Sequence, residues 1–246
     1  MINPIILAKG NFIAEDIVVS VNESNRKIDD SVESKLEELW KEKLKKAKEN
    51  GQHIYNGLSY RLNLLRVEES KLILDFGIFD FKTRECLIEV PGYYNLSQEY
   101  YRKGCHSLAT VKTLDNKYLM VELSGKSMNV NRIDFLGGIM ETDPPIVTGK
   151  DIFESLYKEL QEEAFISRNN IKETYLKLVY INSKTNVGFY FEVILNILST
   201  NIEQEFNKNT KEVDIKSLKI MTRSEYITEL KNHNQNKQFI AKQVEI

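Results

Sequence analysis

The chain has 246 residues, 41% hydrophobic and 10% aromatic, with 34 basic and 36 acidic side chains and a formal charge of −2. Such a composition belongs to a folded chain with a sizeable core, as one large domain or two small ones. The near-neutral balance offers no field to draw nucleic acid or an anionic membrane, so neither is expected as a partner.

The two cysteines, Cys86 and Cys105, form no C-x-x-C, and a reducing cytoplasmic setting is expected. Met1-Ile2-Asn3-Pro4-Ile5-Ile6-Leu7 is too short an apolar run for a signal peptide or a membrane span, so a soluble protein is expected. The first strong element is a helix over 30–48. Asp30 and Glu33 have capping-box spacing, Val32, Leu36, Leu39, Trp40 and Leu44 form an apolar stripe, and Asn50-Gly51 ends it. Its Lys41–Lys46 stretch has acidic residues interleaved and reads as a solvated face rather than a phosphate site.

Tyr60–Arg66 and Lys71–Phe81 read as an antiparallel hairpin across Glu68-Glu69-Ser70. Tyr93, Tyr94, Tyr100 and Tyr101 follow, able either to stack a base or to pack at a junction. Strands are then expected at His106–Thr113 and Lys117–Leu123, joined through Asp115-Asn116. Further strands fall at Tyr175–Ile181, Val187–Ile197 and Leu218–Met221, with helical segments from Ser224 to Lys231 and Lys237 to Ile246. A mixed sheet with helices packed on it fits this order.

The three histidines are scattered, which gives no support to a zinc site. There is no Gly-x-Ser-x-Gly elbow and no P-loop. Cys105 and His106 are neighbours on an expected strand and point to opposite faces, against a nucleophilic pair.

The segment between the strand pairs carries the chemistry. Arg132-Ile133-Asp134-Phe135-Leu136 reads as a short strand entering Gly137-Gly138, a pair that permits positive φ and close approach of backbone to a ligand. A polar loop with Pro144-Pro145 follows, and Thr148 or Asp151 can cap a helix burying Ile152, Phe153, Leu156, Leu160 and Ala164. On that helix Glu159, Glu162 and Glu163 stand three and four apart, on one surface. Like charges so placed repel, and a divalent cation reverses the sign. Mg²⁺ takes hard oxygen ligands, usually a few carboxylates with the phosphates of a substrate. A solvated acidic helix face is the other reading of the same residues.

Strand, glycine loop and acidic helix together resemble the Nudix hydrolases. The family pattern has a glycine, a glutamate six positions on, and an Arg-Glu-aliphatic-x-Glu-Glu-x-Gly-aliphatic run. Gly138 matches the opening glycine, Glu159-Leu160-Gln161-Glu162-Glu163 the acidic core, and Ile166 the closing aliphatic residue. Lys158 replaces the arginine, Phe165 the second glycine, and Lys150 the earlier glutamate. The loop is also six residues longer, since Gly138 and Lys158 stand 20 apart. Glu141 and Glu154 are stand-ins for the missing glutamate at other spacings.

Such a long-loop box is similar to that of the UDP-sugar branch of the family. Leu39-Trp40, Tyr60-Arg61-Leu62 and Leu72–Gly77 follow the order of that branch's amino-terminal region. The resemblance implies an α+β protein: an α/β/α Nudix sandwich with a mixed sheet over 102–246, and a smaller amino-terminal α+β domain over 1–101. It also implies a Mg²⁺-dependent pyrophosphohydrolase, with Mn²⁺ as a second option, acting on a small-molecule nucleotide conjugate. The expected reaction takes UDP-glucose or UDP-galactose to UMP and hexose 1-phosphate. Glu159, Glu162 and Glu163 would hold metal, and Glu212 would be the further acid before the last strand, with Asp214 and Glu192 as alternatives. Gly137, Gly138, Lys158, Tyr93 and Tyr94 would meet the substrate. The alternatives are a Nudix-fold nucleotide-binding module without turnover, or a hydrolase for ADP-ribose or another conjugate.

Overall fold

The computed structural model describes residues 2–22, 29–93, 103–124, 132–209, 215–232 and 235–243. In chain order the elements are β1 (Ile5–Phe12), β2 (Ile17–Val21), α1 (Asp30–Glu49), β3 (Leu58–Glu68), β4 (Lys71–Asp80), α2 (Phe81–Cys86), β5 (Cys105–Lys112), β6 (Tyr118–Leu123), β7 (Ile133–Asp134), α3 (Gly149–Ala164), β8 (Ile171–Ile181), β9 (Val187–Leu195), α4 (Ser199–Asn209), β10 (Ile215–Met221), α5 (Arg223–Asn232) and α6 (Gln235–Gln243).

A seven-stranded mixed sheet runs β1-β8-β9-β5-β6-β10, with β7 beside β6. Only the β5–β9 pairing is parallel. β9 shows why helices cover both faces. Its alternate residues Val187, Phe189, Phe191, Val193 and Leu195 join α3 and α4 in one core, while Tyr190 joins Tyr226, Leu230 and Ile240 of α5 and α6 in another. On α3, Ile152, Phe153, Leu156, Leu160 and Ala164 recur at helical spacing and are all buried. Full burial of each large one contributes about 1.5–3 kcal/mol. The fold is the expected mixed-sheet α+β sandwich.

The hairpin lies in a second sheet ordered β2-β4-β3, where β2 runs parallel to β4. Its turn residues Glu69 and Ser70 both have positive φ, 46° and 67°, which suits the twist of a two-residue hairpin. Packing runs across residue 101. β1 is an edge strand of the large sheet, and Leu72, Leu74 and Phe76 of β4 share the core of β5, β9 and α3.

α1 occupies the expected span and buries Leu36 and Trp40, but Asp29 rather than Asp30 precedes its first turn. Glu33 does not serve as a capping partner for Asp30; its carboxylate accepts from Lys82 Nζ of α2 at 2.8 Å. Phe81, expected at the end of a strand, opens α2 because Asp80 accepts the Thr83 N–H and caps a helix there. Among the described residues no helix is long and apolar enough to cross a membrane.

Candidate active site

β7 leads into an irregular stretch that is laced to the free edge of β5. Ala109 N donates to Leu136 O and Ser107 N to Gly138 O, both at 2.9 Å, and Met140 N donates to Cys105 O at 3.2 Å. Gly137 carries φ +136° there, and a Cβ on it would stand 2.4 Å from Ser107 O. Only glycine fits so close to a strand backbone.

α3 starts at Thr148, whose N–H and hydroxyl both donate to Asp151 Oδ2, at 2.7 and 2.8 Å. Both expected capping residues are thus used as one unit. The helix ends on Phe165 with φ 56°, the left-handed conformation that favours glycine. A phenylalanine holds it by packing on Phe206, ring centres 6.1 Å apart.

The box helix presents its carboxylates to the glycines. Glu163 Oε2 accepts the Gly137 N–H at 2.8 Å. Glu159 lies against Gly138 so closely that a Cβ on that glycine would be 2.2 Å from Oε1. Glu162 is not seated with them; it is exposed, with Lys158 Nζ 4.0 Å from its Oε1. Helical geometry explains the split. At 3.6 residues per turn, Glu163 is rotated about 40° from Glu159 and Glu162 about 60° the other way.

Burial pushes the Glu163 carboxyl up to about 8; the Gly137 hydrogen bond opposes this, and Glu159, Asp134 and Glu162 add repulsion. Burial likewise raises Glu159 to about 7, with repulsion from Glu162 and Glu141 outweighing the attraction of Lys158. Two hard-oxygen groups whose charge is disfavoured by burial and by neighbouring carboxylates are a donor set that a divalent cation would stabilise. Among the described residues no three His, Cys, Asp or Glu side chains are gathered into a ready cage. Mg²⁺ does not need one, since it usually takes one or two carboxylates and leaves the rest to water and substrate phosphates. The chemistry of the pair fits that ion.

Glu163 and both glycines border a cleft of about 600 Å³. Its walls carry Arg84, Arg132, Lys184 and Lys237, with Leu108, Phe135 and Tyr180 as an apolar floor and Asn182, Asn186 and Asn236 as amides. Cationic, carboxylate, apolar and amide groups thus line one cleft. These wall residues were not singled out by the sequence. Arg132 and Asp134 flank the glycine loop and were within reach; Lys237 sits in a terminal helix that shows no signal.

The other expected residues are placed as follows. Lys158 is exposed, with its Nζ 3.5 Å from Glu141 Oε2, and lines a separate recess of about 90 Å³ with Glu141, Glu154 and Glu159. Tyr93 is a correction. It is 2% exposed, packed with Leu36, Trp40, Cys86 and Leu87, and its hydroxyl is 2.6 Å from Thr185 Oγ1, so its ring is not open to a base. Packing took it because the turn after α2 carries Tyr93, with Leu87 and Val90, into the small core shared with α1. Glu192, on β9, has its carboxylate 3.4 Å from Lys177 Nζ of β8. Tyr94, Glu212 and Asp214 lie outside the described residues.

No family model and no curated protein matches this chain. Solved structures similar to it include a bifunctional NMN adenylyltransferase/ADP ribose pyrophosphatase from Francisella tularensis, at 14% identity and TM-score 0.39, covering 65% of this chain and 46% of that one. The Nudix domain of Shewanella oneidensis NrtR complexed with ADP ribose matches at 11% identity and TM-score 0.36, over 62% of this chain and 98% of that one. A Nudix hydrolase from Nitrosomonas europaea matches at 14% and 0.35, over 57% and 90%. Likenesses at this level do not assign a family.

Proposed function

We propose that the chain is a Nudix-type pyrophosphohydrolase that cleaves the diphosphate of a nucleoside diphosphate conjugate, with UDP-hexoses as its preferred substrates. The observation that supports this reading is a cleft lined by Glu163, Gly137, Gly138, Arg84 and Arg132, with Glu159 seated against Gly138 beside it.

Glu159 and Glu163, with Glu162 turning in from the exposed side of α3, would hold Mg²⁺ or Mn²⁺ against the diphosphate. When bound, that ion supplies charge neutralisation at the bridging and terminal oxygens and a lowered pKa for water. The chain itself does the positioning. Gly137 and Gly138 let backbone approach the phosphates, which a side chain at either place would prevent. Arg84, Arg132 and Lys184 would hold the remaining negative charge, and the aromatic floor would exclude water from the organic end. Water adds to one phosphorus as the bridging P–O bond breaks, and its proton goes to a carboxylate, for which we keep Glu212. UMP and hexose 1-phosphate leave.

A binding module without turnover is the second reading, favoured by Lys150, an exposed cation where the family pattern has a glutamate. One experiment separates the two. Purified protein is incubated with Mg²⁺ and UDP-glucose, ADP-ribose or dinucleoside polyphosphates, with and without excess chelator, and the products are resolved by HPLC. UMP from UDP-glucose, abolished by chelator, is the expected result. Cleavage of ADP-ribose with UDP-glucose untouched would remove the UDP-hexose assignment. Binding with no cleavage of any conjugate would leave the module reading.

A further inference from the structure

Lys237 is the least exposed charged side chain among the described residues, at 1%. It comes from α6, remote in sequence from the glutamates, yet its ammonium donates to the Ile133 carbonyl. The same nitrogen lies 3.5 Å from Asp134 Oδ1 and 5.8 Å from the centre of the Phe135 ring. Three consecutive residues, all of β7 or its exit, are therefore held by one side chain.

What they lead to is the glycine loop. Phe135 is two residues before Gly137, whose N–H is bonded to Glu163 at 2.8 Å. Asp134 is bound from a second side by Arg132 Nη2 at 2.9 Å, and its Oδ1 accepts the Phe135 N–H at 3.0 Å. α6 is fixed in turn: Asn236 Oδ1 accepts the Ser183 N–H at 3.0 Å, and Ile240 is buried at 1% exposure. Burying an ammonium is unfavourable, and an apolar side chain of the same length would fill this place without that penalty.

We propose that Lys237 is a positioning residue: it fixes the entry to the Gly137-Gly138 loop, and through that loop the Glu163 carboxylate, for the phosphate chemistry proposed above. α6 then sets the geometry of a site to which it adds no metal ligand. Lys237 acts through Ile133 and Asp134, and its own contact with substrate is not required.

The test is Lys237→Met in the full chain. Asp134 keeps Arg132 as its partner, so no charge is orphaned and the melting temperature should hold or rise. Amides of 135–138 should exchange with deuterium at least ~10-fold faster while those of α3 and β9 are unchanged. With the substrate identified by the product panel, kcat should fall by ~10–100-fold with KM within about 3-fold, the pattern of a misplaced reacting group. Unchanged exchange at the loop overturns the proposal. So does a raised KM at full kcat, which makes Lys237 a substrate ligand instead. Should Lys237→Met fail to fold, Asp134→Asn loosens the same clamp while leaving the ammonium its carbonyl bond. Faster exchange at 135–138 supports the clamp there, and unchanged exchange overturns it. A wild-type protein that cleaves no conjugate would remove the proposed reaction, and the exchange readout would still decide on the clamp.

Discussion

The two glycines of the loop are adjacent in sequence, and alanine at each should do different damage. At Gly137 the added Cβ would stand 2.4 Å from Ser107 O and 2.8 Å from Leu108 Cα, at a φ of +136°. Both atoms are backbone of β5, which β9 holds along its other edge, and neither can give way. The φ alone costs about 1–3 kcal/mol, and forcing the overlap open about as much again. For a chain of this size each kcal/mol moves the melting temperature by about 2–4 °C, so Gly137→Ala should melt roughly 5–20 °C lower.

At Gly138 the backbone is outside the left-handed region, and the atom in the way is Glu159 Oε1, at 2.2 Å. That is the far end of a flexible side chain whose charge is already disfavoured by burial and by Glu162 and Glu141. The carboxylate retreats by about 1 Å at little cost in stability, but a displacement of that size at a reacting centre is worth ~100-fold in rate. Gly138→Ala should therefore melt within a few degrees of wild type and lose ~100-fold in kcat. Thermal melts and steady-state cleavage of the preferred conjugate measure both. An unchanged melting temperature in Gly137→Ala would refute the loop's seat on β5, and full turnover in Gly138→Ala would refute the seat of Glu159 on the loop.

Glu162→Gln removes one charge from an exposed position that repels Glu159. kcat should fall at least ~100-fold, as for loss of a strong electrostatic group, while the metal-free melting temperature holds or rises; a fall of many degrees with activity kept would make Glu162 structural. Asp115 is lowered to about 2 from an ordinary 3.8: burial opposes the shift, and bonds from Ser199 and Thr113 outweigh it. A depressed folded pKa gives stability that is present above about pH 4 and lost as pH falls toward 2. Asp115→Asn should narrow the difference between melts at pH 7 and pH 3, and an unaltered difference would show that this cap contributes nothing to the acid response.

What could be read in the chain follows from how local each signal is. α3, β9 and the hairpin were legible because a period of 3.6, a period of 2 and a two-residue turn each fit inside a dozen residues. β1, β2, α2 and α4 have no counterpart among the expected elements. β1 carries Gly10 within it and buries only Ala8 and Phe12, and α4 buries only Ser199, Ile202 and Phe206. The glutamates and glycines were found by spacing, but spacing alone put Glu162 on the same surface as its neighbours. Which side of Glu159 faces the loop is decided by the stripe Leu156, Leu160, Ala164, and that turns Glu163 inward. The cleft was not legible at all, because Arg84, Arg132 and Lys237 meet only through the topology of the sheet.

The charges of that cleft restrict its ligand more narrowly than the box does. A bare polyanion entering beside Glu163 adds to the burial and the neighbouring carboxylates that already disfavour its charge, and would hold the group protonated. A bare divalent cation would meet Arg84 and Arg132 in the same lining, which repel it. A diphosphate carrying its own divalent ion would bring Glu163 a positive partner and leave phosphate oxygens for Arg84 and Arg132 to bind. The apolar floor of Leu108, Phe135 and Tyr180 then requires an organic group on the diphosphate, because inorganic pyrophosphate would leave that surface wet. Conjugates are therefore expected to bind better than pyrophosphate, and the preference should come from the floor and amides rather than from the glutamates.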